Sequence, residues 1–171
     1  MTSMIKREVN VSITAHVDMI TQLVLDTHEL HLHRFTKRGR RDQVFSPGCM
    51  LYHRMSRQTG HTAALKKLLS YEFQTNNNLF VMGVFHTSQE RDNALRSTRD
   101  VVTGKEFPAP DIDKKEHTTT IKNWIGTKIC DANIIVFSDT LHDPERLSAA
   151  MDMLRNNTNA FPNLTLVVFL G

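Results

Sequence analysis

A chain of 171 residues, 40% hydrophobic and 23% charged, has room for one compact domain with a substantial core and is too short for two ordinary ones. Its net charge of +3 and pI near 9.0 are mildly basic, so the placement of the charges matters more than their sum. No apolar run approaches a membrane span, and Met1 to Ala15 alternates polar with apolar residues instead of forming a signal peptide. The two cysteines, Cys49 and Cys130, lie far apart beside apolar runs. They read as buried free thiols of a reducing, cytoplasmic compartment.

In chain order, Ile13, Val17, Ile20, Val24 and Leu25 recur near helical spacing and predict a helix over residues 12–32. Its end carries His28, His31 and His33. These lack the i, i+4 spacing of helical zinc ligands and have no cysteine nearby, so the expectation is a solvated helix end where protonated imidazoles suit the dipole. Lys37, Arg38, Gly39, Arg40 and Arg41 follow as an exposed basic turn. Between Arg34 and Lys67 the only acid is Asp42, so Lys37, Arg38, Arg40 and Arg41 are candidates for contact with nucleic acid or an acidic partner.

The most informative stretch comes next. An apolar segment, Gly48 to Tyr52, leads into Met55-Ser56-Arg57-Gln58-Thr59-Gly60-His61-Thr62, and a helix-forming run continues from Ala63 to Leu69. This reads as strand, turn and helix N-terminus, where free backbone N–H groups and the positive end of the helix dipole hold anions. A phosphate loop of the Walker A type needs Gly for close approach, Lys for the terminal phosphates and Ser or Thr for magnesium. Gly60 and Thr62 are present, and His61 stands where the Lys belongs.

Asn76-Asn77-Asn78 marks a turn, and Leu79 to Phe85 is a continuous apolar run suited to a strand buried on both faces of a parallel sheet. Ser88 opens a short helix to Leu95. Residues 104–116, with Pro108 and Pro110, read as a loop, and Thr118 to Ile121 as a short strand. Ile134 to Ser138 is an apolar strand ending at Asp139, the Walker B pattern in which a carboxylate holds hydrated magnesium. The next residue is Thr140. Asp143 and Glu145 read as caps of a helix beginning at Pro144, and Leu164 to Leu170 is the last strand.

Residues 56–62 resemble the loop Ser-Arg-Gln-x-Gly-Lys-Thr of large terminase subunits, the ATPase motors that package DNA into phage and herpesvirus heads. They match at every defined position except the lysine. The order of strands and helices over residues 43–171 is similar as well, with Gly126 and Asp131 in the leader before the Walker-B-like strand. The resemblance implies a P-loop NTPase-like α/β domain over 43–171, a mainly parallel sheet flanked by helices, after an N-terminal helical segment and basic turn over 1–42. It further implies phosphate contacts from Ser56, Arg57, Gln58, Thr59, Gly60, His61 and Thr62, adenine recognition by Gln43, and magnesium on Thr62 and Asp139. The family's catalytic glutamate, its Thr- or Ser-rich coupling motif and its nuclease domain have no counterpart here.

The departures fall on the catalytic positions and leave the apolar framework intact. The expectation is therefore a phage- or virus-encoded pseudo-ATPase that retains ATP and magnesium at most as ligands and acts by binding DNA or a protein partner, a packaging component or a host protein. The alternatives are a working ATPase with His61 in place of Lys, and a small basic nucleic-acid-binding protein with no nucleotide role.

Overall fold

The computed structural model describes residues 12–38, 50–54, 60–123, 130–156 and 160–171. A long helix, α1 (Ile13–Arg38), precedes β1 (Met50–His53), α2 (His61–Leu69), α3 (Tyr71–Asn77), β2 (Val81–Phe85) and α4 (Ser88–Ala94). Two two-residue strands, β3 (Thr98–Arg99) and β4 (Glu106–Phe107), then form an antiparallel hairpin. The chain continues through α5 (Lys114–His117), β5 (Thr118–Thr120), β6 (Ile134–Phe137), α6 (Pro144–Asn156) and β7 (Leu166–Leu170).

The five long-range strands form one sheet in the order β1-β7-β6-β2-β5, and every pair in it is parallel. β6 and β7 are buried along their whole length because their runs are apolar on both faces. Ile134, Val136, Leu166, Val168 and Leu170 face α1 and α2, whereas Ile135, Phe137, Val167 and Phe169 face α6, giving a three-layer α/β/α arrangement. The expected α/β class and mainly parallel sheet are therefore present. β1, expected within the sheet's centre, is instead an edge strand, and the exposure of Tyr52, on the same face as buried Met50, suits that place. β5 forms the other edge.

Several sequence expectations change in detail. The first helix runs on to Arg38, so Lys37 and Arg38 belong to a helix and not to an open turn. His28 and His31 are not solvated: they are 8% and 2% exposed. His28 Nδ1 lies 2.6 Å from Thr165 Oγ1, and His31 Nδ1 lies 3.2 Å from the Thr165 carbonyl, so both rings tie α1 to the residue before β7. Thr165 Oγ1 donates in turn to the Asn133 carbonyl at 3.0 Å, which leaves it to accept a hydrogen bond from the His28 Nδ1–H. No periodicity within α1 could reveal a partner 137 residues away.

This pin carries a pH prediction. Burial holds the His28 imidazole below its ordinary pKa, and burial does the same for His53 and His61. The unfolded chain takes up these protons near pH 6.5, before the folded chain does, so their contribution to stability is complete above that pH and is lost as pH falls through the lowered values. The urea midpoint is expected to drop between pH 7.5 and 5.5, and to drop less in His28→Asn. A midpoint that holds steady or rises over that interval would contradict the assignment.

The segment read as a loop, residues 104–116, contains β4, which pairs with β3 ahead of it, and Lys66 on α2 explains why this hairpin stays in place. Lys66 is 2% exposed, and its ammonium donates to the Arg96 carbonyl (2.6 Å), Thr98 Oγ1 (2.6 Å) and the Phe107 carbonyl (3.0 Å). Burial draws its pKa down to about 8. Asp100, fully buried in the same turn, accepts from the Thr14 N–H (3.0 Å), Thr14 Oγ1 (2.5 Å) and Ser12 Oγ (3.0 Å), and so caps α1. Burial alone would raise this carboxyl, but its hydrogen bonds from Thr14, Val102 and Thr103 hold it well below the usual range.

Candidate functional site

All the sheet strands point the same way, so the loops at their carboxyl ends gather on one edge. A crevice at such an edge is where open α/β sheets bind ligands. A cavity of about 520 Å³ opens there. It is lined by His61 and Thr62 from the start of α2, Glu90, Asn93 and Ala94 from α4, Ser138, Asp139 and His142 from the segment after β6, and Leu170 and Gly171 from the end of β7. His61 and Thr62 thus line the same cavity as Asp139.

The start of α2 is built by Gly60, which precedes it with φ +96°, a left-handed conformation that disfavours any side chain. A Cβ there would also lie 3.2 Å from the Ile13 carbonyl oxygen and 3.3 Å from Ile13 Cβ, so the first turn of α1 requires a glycine at this point whether or not a ligand binds. Among the described residues, no side-chain hydrogen bond caps α2. Its opening N–H groups have no partner within the helix and face the cavity end of the domain.

His61 does not reproduce a lysine. Its ring packs edge-on against His53 at the end of β1, with centroids 5.6 Å apart, and the Nε2 atoms of both rings are buried without a hydrogen-bond partner among the described residues. Burial lowers the His61 pKa most, repulsion from His53 and His142 adds to this, and Asp139 opposes it. The imidazole is therefore held neutral where a loop lysine would carry a fixed charge.

Asp139 stands in the cavity with φ +55°, a backbone conformation uncommon outside glycine that turns the chain sharply after β6. Thr140 turns the other way: it is 1% exposed, and its Oγ1 has no partner among the described residues. Asp143 accepts from the N–H groups of Glu145 (3.0 Å) and Arg146 (3.3 Å), the capping role read from the sequence.

Sequence reasoning passed over Glu90, Asn93, Ser138 and His142 on the cavity wall, and Arg146 behind it. Arg146 donates to Glu90 Oε1 at 2.9 Å, its Nε lies 3.3 Å from Asp143 Oδ2, and its Nη1 lies 4.0 Å from Asp139 Oδ2. One signal for it was available. A cation in the first turn of a helix opposes the dipole, so an arginine two residues after Pro144 needs acids around it.

Ser56, Arg57, Gln58 and Thr59 of the loop, Gln43, the basic residues Arg40 and Arg41, and Gly126 of the leader lie outside the described residues. So does Cys49. Cys130 is a half-buried free thiol whose pKa is pushed up by burial, and Asp131 is exposed away from the cavity lining. No helix among the described residues is long and apolar enough to cross a membrane. Comparison with protein-family models, with curated proteins and with solved structures gives no match to this chain.

Proposed function

We propose that this chain is a terminase-like pseudo-ATPase: a phage- or virus-encoded protein with a P-loop NTPase-like fold that binds a phosphate-bearing ligand at the carboxyl edge of its sheet, without turnover. Its action would lie in binding DNA or a protein partner, a packaging component or a host protein. The observation that carries the reading is the convergence of His61 and Thr62 with Asp139 on one cavity wall, although 77 residues separate Thr62 from Asp139. The parallel sheet is the arrangement this reading needs, since an antiparallel meander of the same segments would have ended it. The N-terminus of α2, with no side-chain cap among the described residues, offers backbone N–H donors that support this reading. A neutral, inward-packed His61 and a buried Thr140 remove the loop cation and leave no acid after the Walker-B-like carboxylate.

The test is calorimetric titration with ATP, repeated after addition of duplex DNA. Saturable ATP binding that weakens in Thr62→Val is the expected result. Binding of DNA with no ATP binding would favour instead a basic nucleic-acid-binding protein, with Lys37 and Arg38 at the end of α1 as its first contacts. Absence of both ligands would leave a protein partner alone and remove the nucleotide part of the reading.

A further inference from the structure

The turn between β3 and β4 presents two valines to water on a firmly held support. Val101 is 86% exposed and Val102 49%. Beneath them, fully buried Asp100 accepts from the Val102 and Thr103 N–H groups and from Ser12 and Thr14 at the start of α1. The buried Lys66 ammonium grips the base of the hairpin at Arg96, Thr98 and Phe107. Arg96, Arg99 and Lys105 flank the tip in sequence and are exposed, while Glu106, the one exposed acid of the hairpin, accepts from Ser97 Oγ at 2.9 Å. The finger is therefore apolar at its tip, cationic along its sides and fixed in place.

A surface of the opposite character lies at the amino edge of the sheet. A cavity of about 640 Å³ opens there, ahead of β2 and β6. Its apolar lining residues Leu79, Phe80 and Ile112 are buried or half-buried. Asp111, Asp113 and Glu116 on the same lining are exposed and have no ion-pair partner among the described residues, since the neighbouring Lys114 turns to Asp92 at 3.5 Å. One copy cannot join finger and cavity. The finger stands beside Thr14, near where Ile13 meets Gly60 at the carboxyl edge. The amino edge, where His28 meets Thr165, lies about 21 Å further along α1 at 1.5 Å per residue.

We propose that the hairpin tip of one copy docks in the amino-edge cavity of a second copy, with Val101 and Val102 against Leu79, Phe80 and Ile112, and Arg96, Arg99 and Lys105 against Asp111, Asp113 and Glu116. Three carboxylates alone would accept any cation; an apolar tip set between cations matches an apolar lining set between acids. Burial of the valines supplies the attraction and the charges set the orientation. Because the finger is already fixed, docking orders little of the chain. The two surfaces differ and lie at opposite ends of the domain, so the contact is heterologous and repeats from copy to copy. Its small size places it among weak, transient interfaces. It does not depend on the phosphate reading.

Sedimentation equilibrium at protein concentrations up to about 1 mM tests it. The average mass of wild type is expected to climb with concentration without levelling off at a dimer. Val101→Asp, and separately Asp111→Lys with Glu116→Lys, are expected to raise the dissociation constant at least about tenfold. All three positions are exposed, so circular dichroism is expected to show both variants folded, and Arg99→Glu with Lys105→Glu gives a second finger variant with the same expected effect. Mixed in equal amounts, the finger and cavity variants are expected to form a one-to-one dimer and nothing larger, since the first keeps its cavity and the second its finger. Wild type that stays monomeric overturns the proposal, as does association that neither kind of variant weakens. A mixture of folded variants that stays monomeric overturns it too. So does a wild-type dimer broken by Leu23→Glu, on the exposed face of α1, and untouched by Val101→Asp.

Discussion

Incubated with ATP and magnesium, the protein alone is expected to release phosphate no faster than the uncatalysed background. Phosphoryl transfer is catalysed mainly by positioning and by charge placed on the phosphate oxygens, so a missing cation or base acts directly on the barrier. His61 packs on the His53 ring and is held neutral, so the terminal phosphates meet no fixed charge from the loop position. The residue after Asp139 is a buried threonine, and loss of a general base removes roughly 10²–10⁴-fold in typical enzymes. Among the described residues, Glu90 is the one other carboxylate lining the cavity, and its Oε1 accepts from Arg146 at 2.9 Å.

The measurement is phosphate release by wild type and by His61→Lys, with and without DNA. The lysine is expected to tighten ATP binding while leaving turnover near background. Placing the acid directly, as Thr140→Glu, is expected to cost folding, because that position is 1% exposed and its own hydroxyl already lacks a partner among the described residues. Robust turnover by wild type in the absence of any partner would sink the pseudo-ATPase reading and promote the hydrolase in its place.

Phe169→Ala is expected to be the most destabilising single truncation in the sheet. Phe169 is fully buried on β7, and it pairs in register with Tyr52 on β1 and Phe137 on β6. The Tyr52 and Phe137 rings stack on its two sides, each with centroids 5.1 Å away and interplanar angles of 9° and 11°. Parallel pairing keeps identical side-chain positions abreast, so three aromatic rings become a ladder that fixes the register of half the sheet. Removing the middle ring loses transfer free energy and leaves a cavity between two flat neighbours, about 3–5 kcal/mol for a buried phenylalanine.

Against a total stability of about 5–15 kcal/mol that is a large fraction. At roughly 2–4 °C per kcal/mol for a domain of this size, it lowers the melting temperature by about 10 °C. Urea and thermal melts followed by far-ultraviolet circular dichroism measure it. Tyr52→Ala should cost clearly less, since Tyr52 is 43% exposed on the edge strand. A Phe169→Ala midpoint within about 0.5 kcal/mol of wild type, the range of ordinary surface changes, would remove the ladder from the list of what holds the sheet.

The core strands and main helices were legible in the residues because each rests on a local pattern. Ile134 to Phe137 and Leu166 to Leu170 are apolar at every position, so they had to be strands covered on both faces. A turn at Gly60 before a helix-forming run was read from the sequence, and α2 starts there. The coincidence of a loop-like motif with a carboxylate at a strand end was legible for the same reason.

Other features were decided only in three dimensions. β1 lies at an edge because β7, made last in the chain, pairs between it and β6, and no residue of β1 encodes that neighbour. β3 and β4 are two residues each, too short for any period, and are held by a buried Lys66 at least 30 residues away, whose ammonium donates to the Thr98 hydroxyl in β3, the Phe107 carbonyl in β4 and the Arg96 carbonyl just before β3. His28 and His31 look like solvated polar residues until Thr165 meets them across the sheet. Arg146 acquires its partners only where α4, α6 and the turn after β6 bring Glu90, Asp143 and Asp139 around one guanidinium. Apolar burial is set by the periodicity of neighbouring residues, and a sequence displays it. Polar and charged groups are buried at a cost that only specific distant partners offset, and those partners are chosen by the tertiary structure.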